Sequence, residues 1–329
     1  MEIDLDSPKP SQISKYTLYL PKEKGGTNLI DFQNKMKAFR ILLVFKYLNC
    51  HDKAWTSILR YWYAANIYSI SGQRWNNCYP HAQDITNIPP FFKKCLIEFK
   101  DYYNKHGRNL NHDTTSKEIY CNLIEDRNHK PAAILKYPEM GIYLNKLPKY
   151  SFLDPYLRQF LYKLYHCRLY FKRYRLNIND MLNFGQRCIL CNNAIDTPVH
   201  LFENCEKGSA LREKRDNLIQ NYNLNNFILS QDNKVYSVFD TSSQEKTIQQ
   251  YIITATNYTI YRIKMKKFYD RSYVVTNEEA MYSFINRLKL RIICDHKRLS
   301  IGKFMEFWDP NENQLLFRYN ERKINCFNF

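Results

Sequence analysis

The sequence predicts a mainly α chain in which helical stretches flank one small irregular module. Three observations carry this. Apolar residues recur at three- and four-residue spacing through most of the chain. Turn-formers are scarce, with 8 Gly and 12 Pro in 329 residues. A run from Cys188 to Cys205, "CILCNNAIDTPVHLFENC", breaks the periodicity in the middle.

In chain order, residues 1–15 are polar and contain Pro8 and Pro10, so a flexible tail or the cut edge of a longer chain is expected. A Gly25-Gly26 turn then leads into "TNLIDFQNKMKAFRILLVFKYLN". There Leu29, Phe32, Met36, Phe39, Leu43 and Tyr47 form the expected core-facing stripe of an amphipathic helix. "KAWTSILRYWYAANIY" continues as a second helix, and "PPFFKKCLIEFKDYYNKH" as a third with Pro89 and Pro90 at its start. Residues 106–150 read as more irregular: "KEIYCNLIED" suits a short helix or strand, and "MGIYLNKL" a short strand.

"DPYLRQFLYKLYHCRLYFKRYRL" opens with Asp154 as N-cap and Pro155 at the first helical position, and Leu157, Phe160, Leu164, Cys167 and Phe171 make its apolar face. Beyond the Cys/His run, "SALREKRDNLIQNY" is a helix. "EKTIQQYIITATNYTIYRIKMKKFY" and "NEEAMYSFINRLKLRIICDHKRLSIGKFMEFW" are two long, basic, amphipathic ones, the second closing on the core anchors Phe307 and Trp308. The expected division is a tail (1–15), a helical region (16–150), a basic helix with the Cys/His module (151–215) and a basic helical C-terminal domain (216–329).

Composition narrows the function. A hydrophobic content of 44% with 16% aromatics supports packed cores and excludes a disordered chain, and the many Tyr, Asn, Lys and Ile fit AT-rich codon usage. The net charge of +17, from 49 Lys+Arg against 32 Asp+Glu, implies a polyanionic partner, because Lys/Arg clusters release counterions when they dock on phosphates. No apolar run is long enough to span a bilayer, and "MEIDLDSPKPSQ" is unlike a signal peptide. An intracellular, reducing compartment (nucleus or cytoplasm) with no membrane partner is expected, where ten cysteines serve as thiols or metal ligands.

Cys188, Cys191, His200 and Cys205 fall as Cys-x2-Cys-x8-His-x4-Cys. A Cys-x2-Cys turn aims two thiolates at one ion, Asn192 and Asn193 favour that turn, and the histidine and last cysteine converge from the other side. Four such donors fill a tetrahedral zinc site, which makes the site structural and leaves no position for hydrolysis. Leu201 and Phe202 are placed to pack over it, and the other seven cysteines lack paired spacing.

"CRLYFKRYRLNINDMLNFGQRCILCNNAIDTPVHLFENC" resembles the zinc-binding region that follows the polymerase in LINE-type (non-LTR) retrotransposon reverse transcriptases: a basic helix, a linker, then this ligand spacing with "HLF..C" at its end. "LPKEKGGTNLIDFQNKMKAFRILLVFKYLN" is similar to the segment after the palm, making 16–150 thumb- or linker-like, and "YIITATNYTIYRIKMKK" with "GKFMEFW" resembles the C-terminal tail. The resemblance implies one structural Zn²⁺, RNA template or target DNA as partner, and contact with the polymerase portion of the same element. The chain carries no Asp-Asp pair for two catalytic Mg²⁺ ions, no restriction-like endonuclease pattern after the module and no nucleotide-binding loop. It is therefore expected to be a non-catalytic, nucleic-acid-binding part of such a polyprotein. A zinc-stabilised protein-interaction scaffold or a domesticated remnant is the alternative.

The candidate nucleic-acid residues form two groups. Arg158, Lys163, Arg168, Lys172, Arg173 and Arg175 lie in a stretch without acidic residues, with Arg168, Lys172 and Arg175 sharing a helical face with Tyr165, and Arg187 adjoins the first cysteine. Arg262, Lys264, Lys266 and Lys267 form the second group, followed by Arg287, Lys289, Arg291, Lys297 and Arg298, with Ile263, Met265, Leu288 and Leu290 interleaved toward a core. Either group suits phosphate binding or a solvated face. Tyr16, Lys22 and Lys24, ahead of the Gly-Gly turn, are further candidates for template contact.

Overall fold

A computed structural model describes residues 13–49, 59, 62–63, 88–107, 110, 113–171, 187–221, 229–239, 244–308, 317–320 and 323–326. The chain is mainly helical and divides into two compact units, Ser14–Pro21 with Gly26–Lys130, and Lys22–Gly25 with Pro131–Phe329 and Met1–Ile13. The boundary between the two units falls after Lys130. The expected helix from "KAWTSILRYWYAANIY" lies mostly outside the described residues, as does the tail up to residue 12; Lys15 already opens a helix.

The first unit contains α1 (Lys15–Tyr19), α2 (Phe32–Asn49), α3 (Pro90–His106) and α4 (Ser116–Glu125). α3 starts at Pro90 with Pro89 before it, as expected. Thr115 and Glu118 form a reciprocal capping box that makes "KEIYCNLIE" a helix. α2 packs on α3 and α4, and Arg40 clasps Glu98 through two hydrogen bonds of 2.6 and 2.8 Å. The buried face of α2 corrects the first half of the predicted stripe: Leu29, Phe32, Met36 and Phe39 are exposed, Tyr47 is buried and Leu43 partly so as expected, and Ala38, Ile41, Val44, Phe45 and Leu48 complete the inside. α2 is apolar on nearly every side, so two stripes share the helical period. The buried one offers the small Ala38 and the Arg40–Glu98 clasp to α3 and α4.

The second unit contains α5 (Ala132–Lys136), α6 (Met140–Lys146), α7 (Pro155–Tyr165), α8 (Ser209–Asn221), α9 (Gln231–Tyr236), α10 (Gln244–Tyr269), α11 (Asn277–Arg298) and α12 (Ile301–Trp308). "MGIYLNKL", expected as a strand, is α6, because Met140, Tyr143 and Leu144 are buried at helical spacing. α7 follows the expected cap, with Asp154 accepting the Leu157 N–H at 3.0 Å. It ends at Tyr165, and Cys167 turns into the left-handed region at φ 53°, so Phe171 reaches the core from beyond the helix.

α10 corrects another expectation. Expected as a long basic amphipathic helix with one side toward a core, it is the central post of the unit, packed by α7, α8, α9, α11 and α12. Ile248 to Asn257 are buried in unbroken succession. Its buried threonines are satisfied within the helix: Thr254, Thr256 and Thr259 donate to the carbonyls of Gln250, Ile252 and Ala255 at 2.6, 2.9 and 2.8 Å. The long final helix is two, broken at Leu299–Ser300. The break folds α12 back so that Trp308, buried as expected, donates to Asp295 at 3.2 Å. A hairpin follows within the C-terminal region expected to be helical: Phe317–Asn320 pairs antiparallel with Lys323–Cys326, Phe317 opposite Cys326. Among the described residues no helix is long and apolar enough to cross a membrane.

Candidate metal centre

Local sequence shapes the Cys/His loop. Asn192 takes the left-handed conformation at φ 59°, and its N–H bonds the Cys188 carbonyl at 2.8 Å, which closes the Cys-x2-Cys turn. The Cys188 N–H bonds Ala194 at 2.7 Å, and an antiparallel bridge joins Arg187 to Ile195. On the other side Thr197 accepts the His200 N–H at 3.0 Å, starting one turn of π-helix over His200–Asn204. The extra residue of that turn brings Cys205 back under His200, its N–H on the His200 carbonyl at 2.6 Å.

The four ligand atoms lie within 4.8 Å of one another and could bind a metal ion. Cys188 Sγ is 4.0 Å from Cys205 Sγ, and Cys191 Sγ is 3.2 Å from His200 Nε2. The hydrogen bond with Cys205 holds the Cys188 thiol well below its ordinary value, helped by the N–H groups of Cys191 and Leu190 and opposed by burial. The same hydrogen bond and burial push Cys205 up. Leu201 and Phe202 are fully buried, Phe202 with its ring 6.0 Å from Phe160 and 5.9 Å from Phe171.

Three ties anchor the loop, and none was legible as such in the sequence. Asp196, between the second and third ligands, accepts two hydrogen bonds of 2.8 Å from Lys264 of α10, and both side chains are buried. Lys264 also donates to the Tyr170 carbonyl at 2.6 Å and lies 4.1 Å from the Phe171 ring. Glu203, between the last two ligands, pairs with buried Arg215 of α8 at 2.8 Å, and Arg212 holds the Cys205 carbonyl at 2.8 Å. The signals were present: an acid inside an apolar loop, a lysine inside a buried helix, and two arginines one turn apart after the last ligand.

The candidate nucleic-acid residues separate. Arg158, Lys163, Arg187, Arg262 and Lys266 are exposed, with Lys266 paired to Glu279 and Arg187 reaching the Asn192 carbonyl at 3.5 Å. Arg168 is half-buried past the end of α7, so it shares no helical face with Tyr165. Lys267 is half-buried and donates to the carbonyls of Arg271 and Tyr273 at 2.5 and 2.7 Å. Lys172, Arg173 and Arg175 lie outside the described residues. Tyr165 and Lys264 are corrections: Tyr165 is fully buried with its hydroxyl on the Tyr236 carbonyl at 2.7 Å, and Lys264 is consumed by Asp196.

Tyr16, ahead of the Gly-Gly turn, is exposed under the Arg127 guanidinium at 4.9 Å. Gly25 needs its positive φ of 81°, and its carbonyl accepts a 2.8 Å hydrogen bond from His166. No family model, curated protein or solved structure matches this chain.

Proposed function

We propose that this chain is a nucleic-acid-binding, non-catalytic C-terminal part of a non-LTR retrotransposon reverse transcriptase, built around one structural zinc. The observation that carries this is the closed Cys188–Cys191–His200–Cys205 set inside the spacing that resembles that family. Zinc fits the donors. Zn–S near 2.3 Å and Zn–N near 2.0 Å in a tetrahedron give sulfur–sulfur edges of about 3.8 Å and sulfur–nitrogen edges of about 3.5 Å. The corresponding separations here are 4.0 and 3.2 Å. Three thiols and an imidazole select a borderline-soft ion and leave no coordination position open. The zinc would fix the loop, and the loop's ties to α8 and α10 would set the basic surface around it.

A filter-binding titration of the full chain with single-stranded RNA and duplex DNA at several salt concentrations tests this proposal. Affinity that falls steeply with salt is expected from a +17 chain. Absence of nucleic-acid binding even at low salt would sink it. The second reading, a zinc-stabilised interaction scaffold, is favoured by one observation: Leu29, Ile30, Phe32 and Phe39 present their apolar side chains to solvent, Phe32 at 73% exposure.

A further inference from the structure

A cleft of about 710 Å³ opens between the start of α7, the middle of α10 and the length of α11. Arg158, Arg262, Lys266, Arg287, Arg291 and Arg298 line it, against the carboxylates of Asp154, Glu279 and Asp295. Each carboxylate is taken: Arg287 holds Asp154 at 3.1 Å, Arg291 holds Asp295 at 2.6 Å, and Lys266 holds Glu279. Arg158, Arg262 and Arg298 enter no ion pair among the described residues, and all three are exposed. Three surplus guanidinium groups in one concavity focus a positive potential there, and their planar forks suit phosphate oxygens.

The aromatic lining is equally specific. Tyr156 and Tyr282, on opposite helices, are 66% and 71% exposed, an unusual placement for large rings. Tyr258 lies between them in sequence, its ring flanked by Arg287 at 4.6 Å and Arg262 at 5.9 Å. Tyr282 and Asn286 also line a second, shallower hollow along the first half of α11.

We propose that this cleft seats single-stranded nucleic acid, with phosphates on Arg158, Arg262 and Arg298 and unpaired bases stacked on Tyr156 and Tyr282. The proposal rests on the nucleic-acid reading above and makes it specific. A single strand offers phosphates and open base faces together, whereas a duplex hides its faces. The volume is that of a small-ligand pocket, about 300–1,000 Å³, which admits a few nucleotides and not a double helix.

The test measures fluorescence anisotropy of labelled oligo(U) and oligo(dT) with the full chain, across salt, with unlabelled duplex as competitor. Two cleft variants are compared, Arg158→Gln/Arg262→Gln/Arg298→Gln and Tyr156→Leu/Tyr282→Leu. A control, Lys93→Gln/Lys94→Gln/Lys117→Gln, removes equal charge from exposed positions elsewhere. The arginine variant is expected to flatten the salt slope by about two units, since each phosphate contact contributes about 0.7 for single strands. The tyrosine variant is expected to lose roughly tenfold or more in affinity per ring with the slope unchanged. The control should lose less of either, and the two oligomers show whether the strand is RNA or DNA. Wild-type binding that both cleft variants retain would overturn the cleft while leaving the nucleic-acid reading intact. Equal competition by duplex, with the tyrosine variant unaffected, would overturn the single-strand assignment. Failure of the wild type to bind any nucleic acid would overturn both readings.

Discussion

Replacing Asp196 with Asn keeps the shape of the side chain and removes the charge opposite Lys264. In the native fold the Lys264 ammonium makes two 2.8 Å bonds to that carboxylate, with side-chain exposures of 0% and 1%. After Asp196→Asn its remaining contacts include the Tyr170 carbonyl at 2.6 Å and the Phe171 face at 4.1 Å. Leaving one partner of a buried pair uncompensated costs about 3–5 kcal/mol. For a unit of this size each kcal/mol moves the melting temperature by about 2–4 °C, so a fall of roughly 6–20 °C is expected. Differential scanning calorimetry of the full chain reads it directly. Asp196→Leu combined with Lys264→Met should recover much of the loss, since a buried pair exchanged for apolar groups is often neutral or better. A melting temperature for Asp196→Asn within a degree or two of the wild type would refute the view that this pair clamps the metal loop to α10.

Cys188→Ser should cut bound metal well below one ion per chain by elemental analysis and expose residues 187–205 to hydrogen exchange; unchanged metal content would refute the ligand assignment. His166 supplies a pH-dependent term. Burial pushes its imidazole down to about 4, Arg168 acts in the same direction, and the Gly25 carbonyl acts against both. Its folded value lies below the ordinary 6.5, so the unfolded chain binds the extra proton first. Its contribution is therefore intact above about 6.5 and is lost as pH falls toward about 4, up to roughly 3 kcal/mol at 1.36 per unit. Urea titrations at several pH values should show a shallower acid slope for His166→Gln than for the wild type, and parallel slopes would remove His166 from the account.

Features set by chain-local geometry were legible in the sequence. Asp154 and Pro155 start α7 because a carboxylate cap and a proline at the first turn need nothing from the rest of the molecule. The Cys/His convergence is equally local, since four ligands within one short loop are steered by Asn192, Thr197 and a single π turn. The predicted α2 stripe held only at Leu43 and Tyr47, for the opposite reason. Its apolar residues surround the helix, and only the arrival of α3 and α4 chooses Ala38 and Ile41 over Phe32 and Phe39.

The sequence by itself determined the helical class, the proline-marked starts of α3 and α7 and the Cys/His cluster that could bind a metal ion, all of which depend on residues a few positions apart. The tertiary structure alone decided which basic residues face solvent. Lys264 and Arg262 are two positions apart on one helix, yet α10 is the post around which the unit packs. One side chain therefore points inward to the carboxylate of Asp196 in the metal loop, and the other opens into the cleft beside α11. The charge is the same in both. Its environment, fixed by contacts between residues far apart in the chain, makes one a buried clamp and leaves the other exposed beside the Tyr258 ring.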